Sequence, residues 1–228
     1  MTGCGEAVID HCVIIHESFH RFQINYQVNP EDIKIPDYTD LKMSKNLYLE
    51  AILLHDALVV ENIETKKELV RMFLAVRNNR REGLDTGEVN FEQLQEWKEG
   101  TAFYVDRKAL IMLDEIKYKT RVLNTGFSDF HGFSLKNDLE RMIFEMLKAV
   151  GRNIDLPILK CYYFGMAQCF LLDQLEVEDW KKSLLSEMKY PETLLSEYCD
   201  YSDIERNTYL NEALKKYKYI GRKDEIVY

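Results

Sequence analysis

The sequence predicts a mainly α-helical protein: a single multi-helical domain with little or no β-sheet. Apolar residues recur at steps of three and four along most of the chain, which is the period of an amphipathic helix. No segment alternates apolar and polar residues as a half-buried strand does. The chain has 228 residues, of which 46% are hydrophobic, enough for one sizeable core. We therefore expect one domain over residues 1–228, with about 177–228 as a candidate C-terminal helical extension.

The first predicted helix runs from about Glu6 to Tyr26. Asn29 and Pro30 are expected to end it, because the residue before a proline disfavours helical backbone. Residues 28–40 are predicted to form a loop. The apolar stripe of the helix repeats at helical spacing and comprises Val8, Cys12, Ile15, Phe19 and Phe22.

Capping residues predict the remaining helices. In chain order these are about 45–61 capped by Ser44; about 66–82 opened by a capping box of Thr65 and Glu68; Phe91 to about Leu123 opened by Asn90 and Gln93; a helix from Ser134 to about Val150; Pro157 to Leu175; and shorter helices over 177–188, 192–200 and 204–218. The segments 28–40 and 124–134 are the two places where the pattern leaves room for short β segments. The basic residues Arg77, Arg80 and Arg81 are expected to form a solvated helix end.

Composition excludes several classes of function. The net charge is −9 and no basic stripe is present, so nucleic acid is a poor candidate partner. The five cysteines are odd in number and lack a C-x-x-C pair, which favours buried free thiols over disulfides or a cysteine metal site. No apolar run reaches the roughly 18 residues of a membrane span, and no signal peptide is visible. As written, the chain is predicted to be soluble and cytoplasmic; an exported protein with a truncated N-terminus would look the same.

The segment from His16 to His20 reads H-E-x-x-H, a spacing typical of zinc peptidases. At roughly 100° per residue, the two histidines lie about 40° apart on one helix surface and can converge on one ion. Glu17 lies at the flank of the pair, where it could act as general base on a metal-bound water. The plain alternative is a chance motif, although its place in a strongly amphipathic helix argues against chance.

A third ligand is predicted from a second, distant segment. Glu99 is followed by Gly100 and, two residues on, by Ala102. Glycine inside a helix costs roughly 1 kcal/mol relative to alanine, a cost that makes sense if the histidine helix approaches closely at this point. Glu99 is therefore the favoured carboxylate ligand. Glu96, one turn earlier, is the competing ligand, and an exposed glutamate on a charged helix face is the plain alternative.

Together these segments resemble the gluzincin metallopeptidases, the thermolysin-like broad group, in which H-E-x-x-H is followed by a helical glutamate, often as E-G-x-A-x-Y. Residues 99–104 read E-G-T-A-F-Y, and a weaker likeness covers 162–181. The resemblance implies the helical part of a zincin fold and zinc-dependent hydrolysis of a peptide or protein substrate. The roles it implies are Zn²⁺ held by His16, His20 and Glu99, Glu17 as general base, and Tyr162 or Tyr163 as oxyanion donor, with Tyr104 and His131 as further candidates.

The sequence departs from the gluzincin pattern in two respects. Few residues precede His16, so the β-sheet that gluzincins carry before the histidine helix is not visible. The position four residues after the glutamate ligand holds Phe103 instead of the aspartate that orients a histidine, and Asp106 and Asp173 are the candidate substitutes. A non-catalytic helical relative that acts as an interaction module therefore remains the alternative function.

Overall fold

The computed structural model describes residues 4–26, 32–115, 147–148 and 157–217, and within them all regular secondary structure is helical. No strand occurs within those ranges, so the predicted mainly α-helical class is confirmed at that level. The helices are α1 (Cys4–Gln23), α2 (Leu41–Val59), α3 (Ile63–Arg81), α4 (Thr86–Gln95), a π-helix (Glu96–Gly100), α5 (Thr101–Glu115), α6 (Pro157–Gln174), α7 (Trp180–Ser186), α8 (Pro191–Tyr198) and α9 (Arg206–Lys216).

The predicted helix caps were wrong at α2 and α3, although both helices were expected. Asp40 caps α2 by accepting from the Met43 N–H, so that Ser44 lies inside the helix. Asn62 caps α3 by accepting from the Thr65 N–H. Aspartate and asparagine are among the strongest N-cap residues, and in both cases they precede the residue that the pattern favoured.

The long helix predicted from Phe91 is instead α4, the π-helix and α5 in succession. The helical segment begins earlier than predicted. Its capping box is formed by Asp85 and Glu88, whereas the sequence pattern placed one at Asn90 and Gln93. The predicted helix from Ser134 to Val150, His131 and the candidate β segment at 124–134 lie outside the described residues, apart from the helical pair 147–148.

The core lies between the α2–α3 pair and α6. α6 packs against α2, the π-helix and α5, and α1 packs against α5. α8 packs against α6, and α9 packs against α3. Cys161, Cys169 and Cys199 are buried and free, as the sequence predicted. Among the described residues no helix has the length and apolar content needed to cross a bilayer.

A network of buried charges contradicts the expectation of a solvated basic helix end. Arg77 and Arg80 are almost completely buried. Each guanidinium hydrogen-bonds to carboxylates from other helices, and Arg81 joins them at the edge. The acidic partners of the three arginines come from α2, α4, the π-helix and α8 and are Glu50, Glu92, Glu96 and Glu192. The attraction within a buried ion pair offsets the cost of desolvation only when the charged groups also make their hydrogen bonds. Most of these groups do so here.

Candidate metal centre

Three of the sequence-predicted residues meet at one point. The Nε2 atoms of His16 and His20 lie 3.0 Å apart, across one turn of α1. The Oε2 atom of Glu99 lies 3.1 Å from His20 Nε2 and 3.4 Å from His16 Nε2. His16 and Glu99 are each 8% exposed. Two imidazoles from one helix and a carboxylate from a distant segment therefore converge in a largely buried cluster.

The size of this triangle fits a zinc ion. Zinc binds imidazole and carboxylate ligands at about 2.0–2.1 Å, so two ligand atoms of a tetrahedral site stand about 3.3 Å apart. The three observed separations run from 3.0 to 3.4 Å. The ligand types also fit, because two imidazoles and one carboxylate are a known catalytic zinc set.

Glu17 lies on the exposed side of the cluster. A ligand atom of Glu17 lies within 4.8 Å of ring nitrogens of both His16 and His20. This position, near the ring nitrogens but exposed to solvent, is open to a water or a substrate. The Glu99 carboxylate oxygen lies 3.1 and 3.4 Å from the same two rings, so the carboxylates of both glutamates are near a position between the imidazoles.

The π-helix decides which glutamate faces the histidines. Both carboxylate oxygens of Glu96 accept from Arg77, at 2.8 and 2.7 Å, and one also accepts from Gln168. Glu96 is therefore held in the buried ion network, and the structure brings Glu99 to the imidazoles instead. π-Helical turns are rare and frequent at functional sites, and nothing in the residue pattern predicted this one.

Each imidazole also has a polar partner at its other ring nitrogen. Asp106 Oδ2 lies 3.4 Å from His16 Nδ1, and Gln23 Oε1 lies 2.8 Å from His20 Nδ1. Asp106 was one of the two candidates for an aspartate that orients a histidine, and it does contact His16. The other, Asp173, accepts from the Tyr104 hydroxyl and from Trp180 Nε1. Sequence analysis missed Gln23, although its spacing from His16 and His20 places it on the same helix face.

Burial and the neighbouring carboxylates set the charges of the cluster. Burial lowers the pKa of His16, but hydrogen bonds and charge attraction from Asp106 and Glu99 outweigh it and raise the pKa to about 9. Burial raises the pKa of Glu99, but hydrogen bonds from His16 and Tyr162, with the charge of His20, lower it to about 2. The two carboxylates therefore favour a positive charge between them, and a metal ion would replace the proton that His16 otherwise carries.

Tyr162 contacts the cluster directly. Its ring stacks on His16, with centroids 5.6 Å apart and planes 3° from parallel. Burial and a hydrogen bond to Glu99 raise the pKa of its hydroxyl, so the group remains a proton donor. Tyr163 packs edge-on against Phe103. The Tyr104 hydroxyl donates to Asp173 at 2.5 Å. Of the described oxyanion candidates, Tyr162 is the one whose ring stacks on a predicted ligand histidine.

The glycine beside Glu99 does allow a close backbone approach, but the approaching helix was predicted wrongly. Gly100 faces the backbone of Gly165 and Cys161 in α6, not the histidine helix α1. The close packing therefore joins the segment that carries Glu99 to the helix that carries Tyr162.

Comparison of the chain with protein-family models, with curated proteins and with solved structures found no match. The likeness to gluzincins accordingly rests on the motifs of the sequence. The geometry of the cluster is independent of that likeness, and it is the starting point for a functional proposal.

Proposed function

We propose that this protein is a zinc-dependent hydrolase of peptide bonds, with Zn²⁺ held by His16, His20 and Glu99. The observation that carries the proposal is the convergence of two Nε2 atoms and one Oε2 atom within 3.0–3.4 Å of one another. The α1 helix, the π-helix and α6 would then correspond to the helical part of a gluzincin-like fold.

The arrangement supports a catalytic centre better than a structural one. A structural zinc site is closed by four protein ligands, whereas a catalytic site has three and keeps one position for water or substrate. Here Asp106 contacts the Nδ1 side of His16, and the other carboxylate near the ring nitrogens is that of the exposed Glu17, within 4.8 Å of them. A bound zinc ion would polarise the scissile carbonyl of the substrate and lower the pKa of a bound water.

The remaining chemistry falls to the side chains around the ion. Glu17 takes a proton from the attacking water and returns it to the nitrogen of the departing amine. The Tyr162 hydroxyl keeps its proton and donates a hydrogen bond to the negative charge that develops on the scissile carbonyl oxygen. Asp106 Oδ2, which lies 3.4 Å from His16 Nδ1, would hold that ring with Nε2 free to bind the ion.

The test combines metal analysis with a peptidase assay on the purified protein, using a library of internally quenched fluorescent peptides. Glu17→Gln is expected to retain one equivalent of zinc and to lose hydrolysis. His16→Ala is expected to lose the zinc. His55→Ala is the matched control, because His55 is also a buried histidine but pairs with Asp56 at 2.9 Å. Unchanged zinc content in His16→Ala would rule out the ligand assignment.

A non-catalytic interaction module is the second candidate function. The observation that favours it is a set of exposed apolar residues on α1: Val13, Ile14 and Phe22 are 52%, 63% and 44% exposed. A contiguous exposed apolar patch marks an interaction site on a protein surface. Zinc bound in the wild type without hydrolysis of any library peptide would favour this function over the enzyme.

A further inference from the structure

Gln23 is the last residue of α1, and its side-chain amide joins the histidine helix to the π-helix. The residue is 2% exposed. Its nitrogen Nε2 donates to Trp97 O at 3.1 Å, to Lys98 O at 3.1 Å and to Thr101 Oγ1 at 2.8 Å. Its oxygen Oε1 lies 2.8 Å from His20 Nδ1. One amide therefore contacts both a predicted metal ligand and the segment that carries another.

The chemistry of these contacts determines which way the amide points. A backbone carbonyl can only accept a hydrogen bond, so Trp97 O and Lys98 O require the nitrogen end of Gln23. The Thr101 hydroxyl donates to Trp97 O and is therefore available to accept from Gln23. The oxygen end is left facing His20. Since an amide oxygen also only accepts, His20 Nδ1 must carry the proton.

A proton on Nδ1 leaves the other nitrogen of a neutral imidazole as a lone pair. That nitrogen is His20 Nε2, which lies 3.0 Å from His16 Nε2 and 3.1 Å from Glu99 Oε2. The carbonyls that fix the amide belong to the same π-helical turn that presents Glu99. The tautomer of one ligand and the position of another thus depend on the same side chain.

We propose that Gln23 is a positioning residue for the metal centre, an inference that rests on the proposed zinc site. Gln23 holds His20 in the Nδ1–H tautomer and ties the end of α1 to the π-helix behind Glu99. Loss of the amide removes the acceptor of the Nδ1 proton and leaves the carbonyls of Trp97 and Lys98 without this donor. Loss of a group that orients a metal ligand typically weakens metal binding by about 10–100-fold.

The first test compares Gln23→Met with Gln168→Met. Gln168 is a matched control, because it is a fully buried glutamine that donates to Glu96 Oε2 and to Phe164 O. Zinc affinity is measured by competition with a chelator, and the absorption spectrum of the Co²⁺ form reports ligand geometry. Gln23→Met should bind zinc about 10–100-fold more weakly, with an altered Co²⁺ spectrum. Gln168→Met should stay within about twofold of the wild type. Zinc affinity of Gln23→Met within about twofold of the wild type, or an equal loss in both variants, would overturn the proposal.

The second test needs neither a variant nor bound metal. The ring ¹⁵N chemical shifts of His20 are measured in the metal-free wild type at alkaline pH, where a free imidazole is neutral. The proposal expects the proton on Nδ1; a proton on Nε2 overturns it. If the wild type binds no zinc, the proposed function fails, yet this measurement still decides whether Gln23 sets the tautomer of His20.

Discussion

Gly100 and Gly165 pack backbone to backbone: a Cβ atom placed on Gly100 would lie 2.5 Å from the Gly165 Cα atom. The same atom would lie 2.9 Å from the carbonyl oxygen of Cys161. Because these neighbours are backbone atoms, no flexible side chain can move aside. The contact sets the spacing between Glu99, which precedes Gly100, and Tyr162, one turn before Gly165 in α6.

Gly100→Ala is expected to destabilise the protein by about 1–3 kcal/mol, the usual cost of forcing an extra carbon into a packed core. Alanine is favoured over glycine by roughly 1 kcal/mol inside a helix, but here the clash outweighs that gain. Urea unfolding measures the change. Gly83→Ala is the control, since a Cβ there would meet its nearest neighbours only at 3.4–3.5 Å. A Gly100→Ala protein as stable as the wild type would show that the two helices separate easily.

Tyr162→Phe is expected to keep the fold and the zinc but to lower kcat by about 10²–10³-fold, the usual loss for one oxyanion donor. The hydroxyl is the only part removed, and the ring can still stack on His16. Steady-state kinetics on the best peptide of the library measures the effect. Tyr163→Phe is the control, because Tyr163 packs against Phe103 and not against the cluster in the contacts described above. Equal kcat values for the two variants would exclude this role for Tyr162.

Asp106→Asn is expected to weaken zinc binding by about 10–100-fold. An asparagine can turn either its oxygen or its nitrogen toward His16 Nδ1, and it removes the negative charge that increases the basicity of the ring. Chelator competition measures the affinity. Asp173→Asn is the paired variant, since Asp173 bonds to Tyr104 and Trp180 instead of a histidine. If Asp173→Asn lost more zinc affinity than Asp106→Asn, Asp173 and not Asp106 would be the orienting aspartate.

The buried ion network predicts that the protein loses stability in acid. Burial raises the pKa of Glu92 and of Glu192, but attraction to arginines of α3 outweighs it and lowers the pKa of both. In the unfolded chain these carboxyls take up protons near pH 4.3, so below about that pH the unfolded state binds more protons than the folded state. Above about pH 5 both carboxyls should therefore make their complete contribution to the free energy of unfolding. That free energy should fall as the pH decreases, by on the order of 2 kcal/mol per carboxyl.

Urea midpoints measured at about pH 6, 4 and 3 test this dependence, because these values bracket the ordinary glutamate pKa of about 4.3. Glu192→Gln should be less stable than the wild type at pH 6 and should show a flatter decline toward pH 3. A wild-type midpoint that is the same at all three values would contradict the assignment of Glu92 and Glu192 as charged in the folded state.

Much of the fold could be predicted from the sequence, because helical periodicity is a local property. The helix from Pro157 was expected to reach Leu175 and extends to Gln174. Of the three shorter helices after it, α7 and α9 lie within their expected ranges, and α8 begins at Pro191, one residue before its range. The caps at Asp40, Asn62 and Asp85 were missed because several polar residues in a row can each act as N-cap. Only the folded backbone selects one of them.

The sequence by itself determined that His16 and His20 share one face of a helix with Glu17 at their flank, because a helix places residues four apart on the same side. The tertiary structure decided that Glu99, and not Glu96, meets that pair. The π-helical turn and the close approach of α6 aim one carboxylate at the imidazoles, while Arg77 of α3 holds the other. Neither the register of a π-turn nor the partner of a buried charge is encoded within one turn of the chain, and both follow from how distant helices pack.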